Sequence, residues 1–256
     1  MHRTPTETSA TVGIIPARWD SSRFPGKPLH FIAGKPLVQH VFDQCRKCPS
    51  LQEVIIATDD DRIAKAAREF GATVAMTAGD HPSGTDRIAE VAEQFPQYDT
   101  IINVQGDEPL VSPALITELV EALHTSGSGM VTAAGTIDRS EDISDPNIVK
   151  VVLNDAGDAL YFSRSPIPFR RSEVPDLATL RHHGIYGFRR DCLLRFVDAP
   201  PAPLELAEGL EQLRALHLGE RIQVVITGET SVGIDTPEQA KELETFLSQT
   251  SPPSAS

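Results

Sequence analysis

Short apolar runs alternate with amphipathic stretches through the first half of the chain, and this alternation narrows the possible folds most. Residues 12–15, 54–57, 74–76 and 101–104 are too short for buried helices and rich in Val and Ile, so they read as buried strands. Between them, 60–70 carries Ile63, Ala66, Ala67 and Phe70 at helical spacing, and 86–95 carries Ile88, Val91, Ala92 and Phe95 on one stripe. Residues 37–47 and 113–124 read as further helices, the second with Pro113 at its first turn. Strand and helix in strict alternation predict an α/β fold: a mainly parallel, doubly wound sheet with helices on both faces.

After about Met130 the rhythm changes. Residues 149–153 and 160–163 flank Asn154-Asp155-Ala156-Gly157-Asp158, the pattern of a hairpin. Residues 183–189 read as a strand, 204–216 as one helix through Leu206, Leu210 and Leu213, 223–226 as a strand and 236–247 as a closing helix. No polar linker separates these parts. The expectation is a single domain over 12–247 with a small later subdomain, and disordered tails at 1–11 and 248–256.

Composition removes several function classes. The formal net charge is −13, from 36 acidic against 23 basic residues, which argues against a nucleic-acid binder. No run of about 18 apolar residues is present to span a membrane. The polar start, with no hydrophobic signal core, points to the cytoplasm. Cys45 and Cys48 form a C-x-x-C, but no second pair completes a zinc site, and both fall near the end of one helix, where an incidental pair is the simpler reading.

Against this acidic background, the loop after the first strand stands out. Ile14-Ile15-Pro16-Ala17-Arg18 runs into Ser22-Arg23-Phe24-Pro25-Gly26-Lys27-Pro28-Leu29, a stretch whose prolines exclude helix. Arg18, Arg23 and Lys27 lie at the carboxyl edge of a parallel sheet, where a planar guanidinium and a point-charge ammonium suit a polyphosphate. The alternative is a solvated surface loop. The loop is neither a Walker motif, since Pro28 follows Lys27, nor a dinucleotide fingerprint.

Two carboxylates have matching positions. Asp107, in Asn103-Val104-Gln105-Gly106-Asp107-Glu108-Pro109, follows a strand at its carboxyl end, and Gly106 permits close backbone approach to a ligand. Asp235, in Gly233-Ile234-Asp235-Thr236-Pro237, precedes a helix and is equally placed to be its cap. Mg2+ is commonly held by one or two carboxylates plus substrate phosphates, so the basic loop and two aspartates together suit nucleotidyl transfer. Asp80-His81-Pro82-Ser83-Gly84-Thr85-Asp86-Arg87 joins a strand to a helix, with Ser83 or Thr85 as cap and free N–H groups able to meet a nucleotide. Arg181-His182-His183-Gly184-Ile185-Tyr186 places His182, Gly184 and Tyr186 on one strand face, while Glu211, Gln212 and Arg214 lie beside the apolar stripe of 204–216. On the residues alone the plain reading, a wet surface, outweighs the other, contacts to a polyhydroxylated ligand.

These motifs occur in order with Ala57-Thr58-Asp59, Asn147-Ile148-Val149-Lys150-Val151-Val152, Ala159-Leu160-Tyr161-Phe162-Ser163-Arg164 and Leu210-Glu211-Gln212-Leu213-Arg214. The set, from about 12 to 247, resembles the 3-deoxy-manno-octulosonate (Kdo) cytidylyltransferase family. The resemblance implies a Rossmann-like nucleotide-diphospho-sugar transferase fold that joins CMP from CTP to Kdo for lipopolysaccharide synthesis, releasing pyrophosphate. It implies a nucleotide-binding half at 12–136, a sugar-acid and dimerisation subdomain at 137–226, and a closing segment at 227–247. By the same resemblance, Arg18, Lys27, Asp107 and Asp235 are catalytic, and Ala17, Arg18, Arg23, Lys27, Ser83, Thr85 and Asp107 meet the nucleotide. Arg18, Gln105, Arg164, His182, Tyr186, Glu211 and Gln212 meet Kdo, and Asp107 and Asp235 bind Mg2+. A cytoplasmic homodimer is the implied assembly. Trp19, Phe24 and His183 depart from residues common in the family. A transferase for a related sugar acid such as the 8-amino analogue, a glycosyltransferase of similar fold, and a non-catalytic nucleotide-sugar binder remain alternatives.

Overall fold

In the computed structural model, residues 10–20, 24–172, 174–229 and 233–250 are described. They fall into two compact units: a first one within 12–94, 103–113 and 233–250, and a second within 10–11, 95–102 and 114–229. Arg23 of the basic loop lies outside the described residues.

The first unit is built on β1 (Thr11–Pro16), β4 (Glu53–Thr58) and β5 (Thr73–Met76), parallel and in that order. Ile14 lies opposite Ile55, and Ile56 opposite Val74. All but the last residue of β1 and all but the first of β4 are buried, as expected of parallel strands covered on both faces. A short hairpin, β2 (Phe31–Ile32) and β3 (Lys35–Pro36), leads into α1 (Leu37–Cys45). Helix α2 (Asp61–Glu69) begins where the Asp60 carboxylate accepts the backbone N–H groups of Arg62 and Ile63. Helix α3 (Gly84–Gln94) starts two residues before the position read from its apolar stripe, because Ser83 caps it: its hydroxyl accepts the N–H groups of Thr85 and Asp86. Cys45 ends α1 and Cys48 lies beyond it; both are buried and unlinked, and burial pushes the Cys45 thiol up, away from reactivity.

The second unit orders its strands β11 (Ile222–Ile226), β7 (Met130–Thr136), β10 (Leu180–Arg189), β6 (Thr100–Asn103). Strand β11 runs parallel to β7, and β10 antiparallel to it. Strands β8 (Lys150–Leu153) and β9 (Ala159–Ser163) form the expected hairpin, and β8 joins the edge of β10. The fold is thus α/β with a mixed sheet, parallel throughout the first unit. Helices α4 (Pro113–Thr125), α5 (Ser140–Ser144) and α6 (Arg190–Asp198) complete the cover.

Three sequence expectations are corrected. The stretch 204–216 is two short helices, α7 (Pro203–Glu208) and α8 (Gln212–His217), because Gly209 turns left-handed at φ 61° between them. Thr11 is a buried strand residue and not part of a disordered tail. The closing helix, α9 (Pro237–Thr250), takes in residues 248–250, which the Ser/Pro-rich composition had assigned to the tail; the rest of both tails lies outside the described residues.

Candidate active site

Proline and glycine shape the loop after β1. Gly26 adopts φ 71°, and Lys27–Leu29 form a 3-10 turn with Pro28 at its start. A Cβ at Gly26 would lie 2.9 Å from the Trp19 ring, so the indole occupies space that only glycine leaves. On its ring the Arg62 guanidinium stacks at 3.4 Å, itself held by Asp60. Beneath this loop Phe24, Ile32 and Leu37 pack with Ile234, Ala240 and Leu243, which docks the start of α9 beside Lys27.

The second aspartate is released for other work by a signal in the residues that follow it. Thr236-Pro237-Glu238-Gln239 is a capping box: the Thr236 hydroxyl accepts the Gln239 N–H, and the Gln239 side chain accepts the N–H groups of Asp235 and Thr236. The cap is therefore Thr236, and the Asp235 carboxylate turns to Lys27. Lys27 Nζ lies 2.6 Å from Asp107 Oδ2 and 3.1 Å from Asp235 Oδ1. The Ile234 N–H donates to the Asp107 carbonyl, tying the two segments together. Gly106 plays a different part from the expected close approach to a ligand. A Cβ there would stand 2.6 Å from the Pro16 carbonyl, so the glycine lets the Asp107 loop lie against the end of β1.

Around this triad runs a cleft of about 480 Å³, lined by Ala17, Arg18, Lys27, Ser83, Gln105, Asp107 and Asp235 from the sequence expectations. It is also lined by Pro16, Asp20, Pro28, His81, Gly84, Arg87 and Gly106. Thr85 is buried in α3 and does not line it. His81 is held by Glu90, which also accepts the Ala78 N–H; burial opposes ionisation of Glu90, but these bonds outweigh it and hold the carboxylate below its usual range. Arg87, itself buried, pairs with Asp59 at 2.9 Å and bonds Thr77. His81 and Arg87 stand inside a motif the sequence displays, but their inward direction depends on Glu90 and Asp59, which local pattern does not reveal.

The two aspartates and their surroundings bear on a metal site. Both contact the Lys27 ammonium, and no third His, Cys, Asp or Glu joins them in a cluster among the described residues. Two carboxylates with room for water and phosphate oxygens fit a magnesium ion.

The remaining residues assigned to the sugar acid lie in the second unit. His182 and Tyr186 of β10 meet at a tilt of 44° with ring centroids 5.4 Å apart, and Phe162 closes on His182 edge-on at 5.0 Å. A register shift between His183 and Tyr186 interrupts the ladder there. Burial, with the neighbouring His183, pushes His182 down to about 3, so its ring is neutral at pH 7; Thr132 Oγ1 meets its Nε2 at 3.0 Å. Glu211 directly precedes α8 and Gln212, buried, begins it. Arg214, by contrast, is spent in a buried ion pair with Glu205 at 2.5 Å. Arg164 turns all three nitrogens onto main-chain carbonyls, those of Glu208, Pro146 and Gly209.

Known proteins give this geometry a family. Residues 12–222 match the family model described as cytidylyltransferase. A 3-deoxy-manno-octulosonate cytidylyltransferase from Geobacter sulfurreducens is 49% identical over 241 residues, which span 90% of this chain and 96% of the relative. The solved structure of a CMP:2-keto-3-deoxy-manno-octonic acid synthetase complexed with CTP is 40% identical, covers 94% of this chain and 99% of its own, and has a TM-score of 0.90. At 15% identity and a TM-score of 0.63, a 4-diphosphocytidyl-2C-methyl-D-erythritol synthase from Anaerococcus prevotii, with 94% and 97% covered, shares the fold. The chain belongs to the 3-deoxy-manno-octulosonate cytidylyltransferase family.

Proposed function

We propose that this chain transfers a cytidylyl group from CTP to the anomeric hydroxyl of Kdo, releasing pyrophosphate. The observation that carries the reading is the Lys27 ammonium gripped by Asp107 and Asp235 in a cleft that also holds Arg18 and the start of α3. Both substrates are anions, so the site must offset repulsion as the hydroxyl approaches the α-phosphorus. Arg18 and Lys27 supply positive charge to the phosphate oxygens, and the positive end of the α3 dipole adds to it. Asp107 and Asp235 would hold Mg2+, which when bound neutralises triphosphate charge. Asp235 is fixed by the capping box and Asp107 by Gly106, so neither carboxylate must reorganise as charge develops.

In this reading Ala17, Arg18, Lys27, Ser83 and Asp107 serve the nucleotide, with Thr85 supporting from within α3. Gln105, His182, Tyr186, Glu211 and Gln212 recognise the sugar acid. A neutral His182 is a hydrogen-bonding partner for hydroxyls and not a counter-ion for the carboxylate. A homodimer formed through the second unit, placed in the cytoplasm and serving lipopolysaccharide synthesis, belongs to the same reading. No helix among the described residues is long and apolar enough to cross a membrane. The test is pyrophosphate release measured across CTP, UTP and ATP with a panel of sugar acids. Release that requires CTP and Kdo together supports the proposal; equal release with other sugar acids, or none with Kdo, refutes it.

A further inference from the structure

In the second unit, the end of β9 is bound to the joint between α7 and α8 by an unusually full set of hydrogen bonds. Glu208 receives the Ser163 hydroxyl at 2.6 Å on one oxygen and the Arg164 N–H at 2.9 Å on the other. The Arg164 guanidinium returns across the joint, with Nε 2.7 Å from the Glu208 carbonyl and Nη2 3.3 Å from that of Gly209, while Nη1 reaches Pro146 at 2.9 Å. From behind, Lys150 holds the Arg164 carbonyl at 2.5 Å; it also donates to the carbonyls of Ile148 and Asp145. Lys150 is fully buried, so its ammonium depends on these acceptors in place of water.

The terminal carbonyls of a helix lack partners within it, and here a guanidinium fork supplies them at the residue where the chain turns left-handed. Glu211 and Gln212 follow Gly209 by two and three residues. We infer that Arg164 and Glu208 are positioning residues that set the α7–α8 bend and thereby aim Glu211 and Gln212 at the sugar acid. The inference rests on the proposed role of Glu211 and Gln212. It assigns Arg164 a task other than touching the sugar acid itself. A helix cap with no further duty would affect stability alone, whereas a bend that aims two recognition groups must show in the constants for one substrate. Displacement of a substrate-positioning group by about 1 Å costs on the order of a hundredfold.

The experiment compares Arg164→Met, Glu208→Gln, Gln212→Ala and the double variant Arg164→Met with Gln212→Ala, using full-length protein and separate titrations of CTP and Kdo. Glu208→Gln keeps the shape but sets an amide donor against the Arg164 N–H or the Ser163 hydroxyl, and it serves if Arg164→Met does not fold. Each single variant should raise KM for Kdo on the order of tenfold or more, with KM for CTP within about twofold. The double variant should be impaired by clearly less than the product of the two single effects, because part of what Arg164 does passes through the residue already removed. Effects that multiply in the double variant would make Arg164 a direct contact and overturn the inference. So would an unchanged Kdo constant in Glu208→Gln while Gln212→Ala raises it. An unchanged Kdo constant in Gln212→Ala refutes instead the underlying assignment of the sugar-acid site.

Discussion

Lys27→Met separates the roles of the ammonium and of the carboxylates it joins. Lys27 is 14% exposed in its side chain, Asp107 30% and Asp235 41%, at 2.6 and 3.1 Å. With water-like screening the two contacts amount to about 3 kcal/mol of gross attraction. Side-chain ordering and the mutual repulsion of the carboxylates reduce this to about 1–2 kcal/mol net. In a chain of this size that corresponds to a fall in melting temperature of roughly 3–6 °C in the presence of EDTA. The same substitution takes the Lys27 ammonium away from both carboxylates. Magnesium, no longer competing with an ammonium for those oxygens, should then raise the melting temperature more than it does in the wild type. Turnover should nonetheless fall, because in the proposed reaction Lys27 also stabilises phosphate charge. Melting curves with EDTA and with MgCl2, recorded for wild type, Lys27→Met, Asp107→Asn and Asp235→Asn, decide the matter. An equal magnesium shift in all four proteins would refute the assignment of the pair as the cation site.

Asp107→Asn and Asp235→Asn should each remove most turnover with little change in the unliganded fold, checked by steady-state rates and circular dichroism; near-normal rates at saturating Mg2+ would count against both. Arg18→Ala should cost about 2–4 kcal/mol of transition-state stabilisation, read from kcat/KM for CTP, because it deletes a cationic donor lining the cleft. Gly106→Ala drives a Cβ to 2.6 Å from a main-chain oxygen that cannot move cheaply, so stability should fall by about 1–3 kcal/mol in denaturant melts and kcat should fall with it. His183 is buried with Nε2 unpaired, and burial pushes it down to about 4 from an ordinary 6.5. Below pH 6.5 the unfolded chain takes up a proton that the folded ring refuses, so stability is complete above that pH and declines toward pH 4. The loss at pH 5 should be about 1–2 kcal/mol from this residue, and His183→Leu should be less acid-sensitive in melts at pH 7 and pH 5.

Strand and helix were legible where local pattern suffices. The runs at 12–15, 54–57 and 101–104 lie within or overlap β1, β4 and β6, because a continuously apolar short segment has few places to go except between covering helices. The stripe at 88, 91 and 92 lies buried in α3. The ordered motifs also carried the family. The same reasoning failed at 204–216, since Leu206, Leu210 and Leu213 keep helical spacing straight through Gly209. Leu206 is in fact 71% exposed and Leu210 is buried. Whether glycine interrupts a helix depends on what meets the freed carbonyls, and Arg164 comes from 45 residues away.

The site divides along the same line. The residue types, their carboxyl-edge placement and the concentration of positive charge on an acidic chain are properties of sequence, and they pointed to a polyphosphate and a metal. The sequence also contained the Thr236 capping box, the one local signal that frees Asp235 from capping duty. The grip of Lys27 on Asp107 and Asp235 joins residues 80 and 208 positions apart. It requires Gly106 to lie on the end of β1 and α9 to dock under the loop through Ile234, Ala240 and Leu243. Periodicity and capping act over a few residues, whereas an ion pair of this span forms only after packing has brought its partners within reach; only the tertiary structure could decide it.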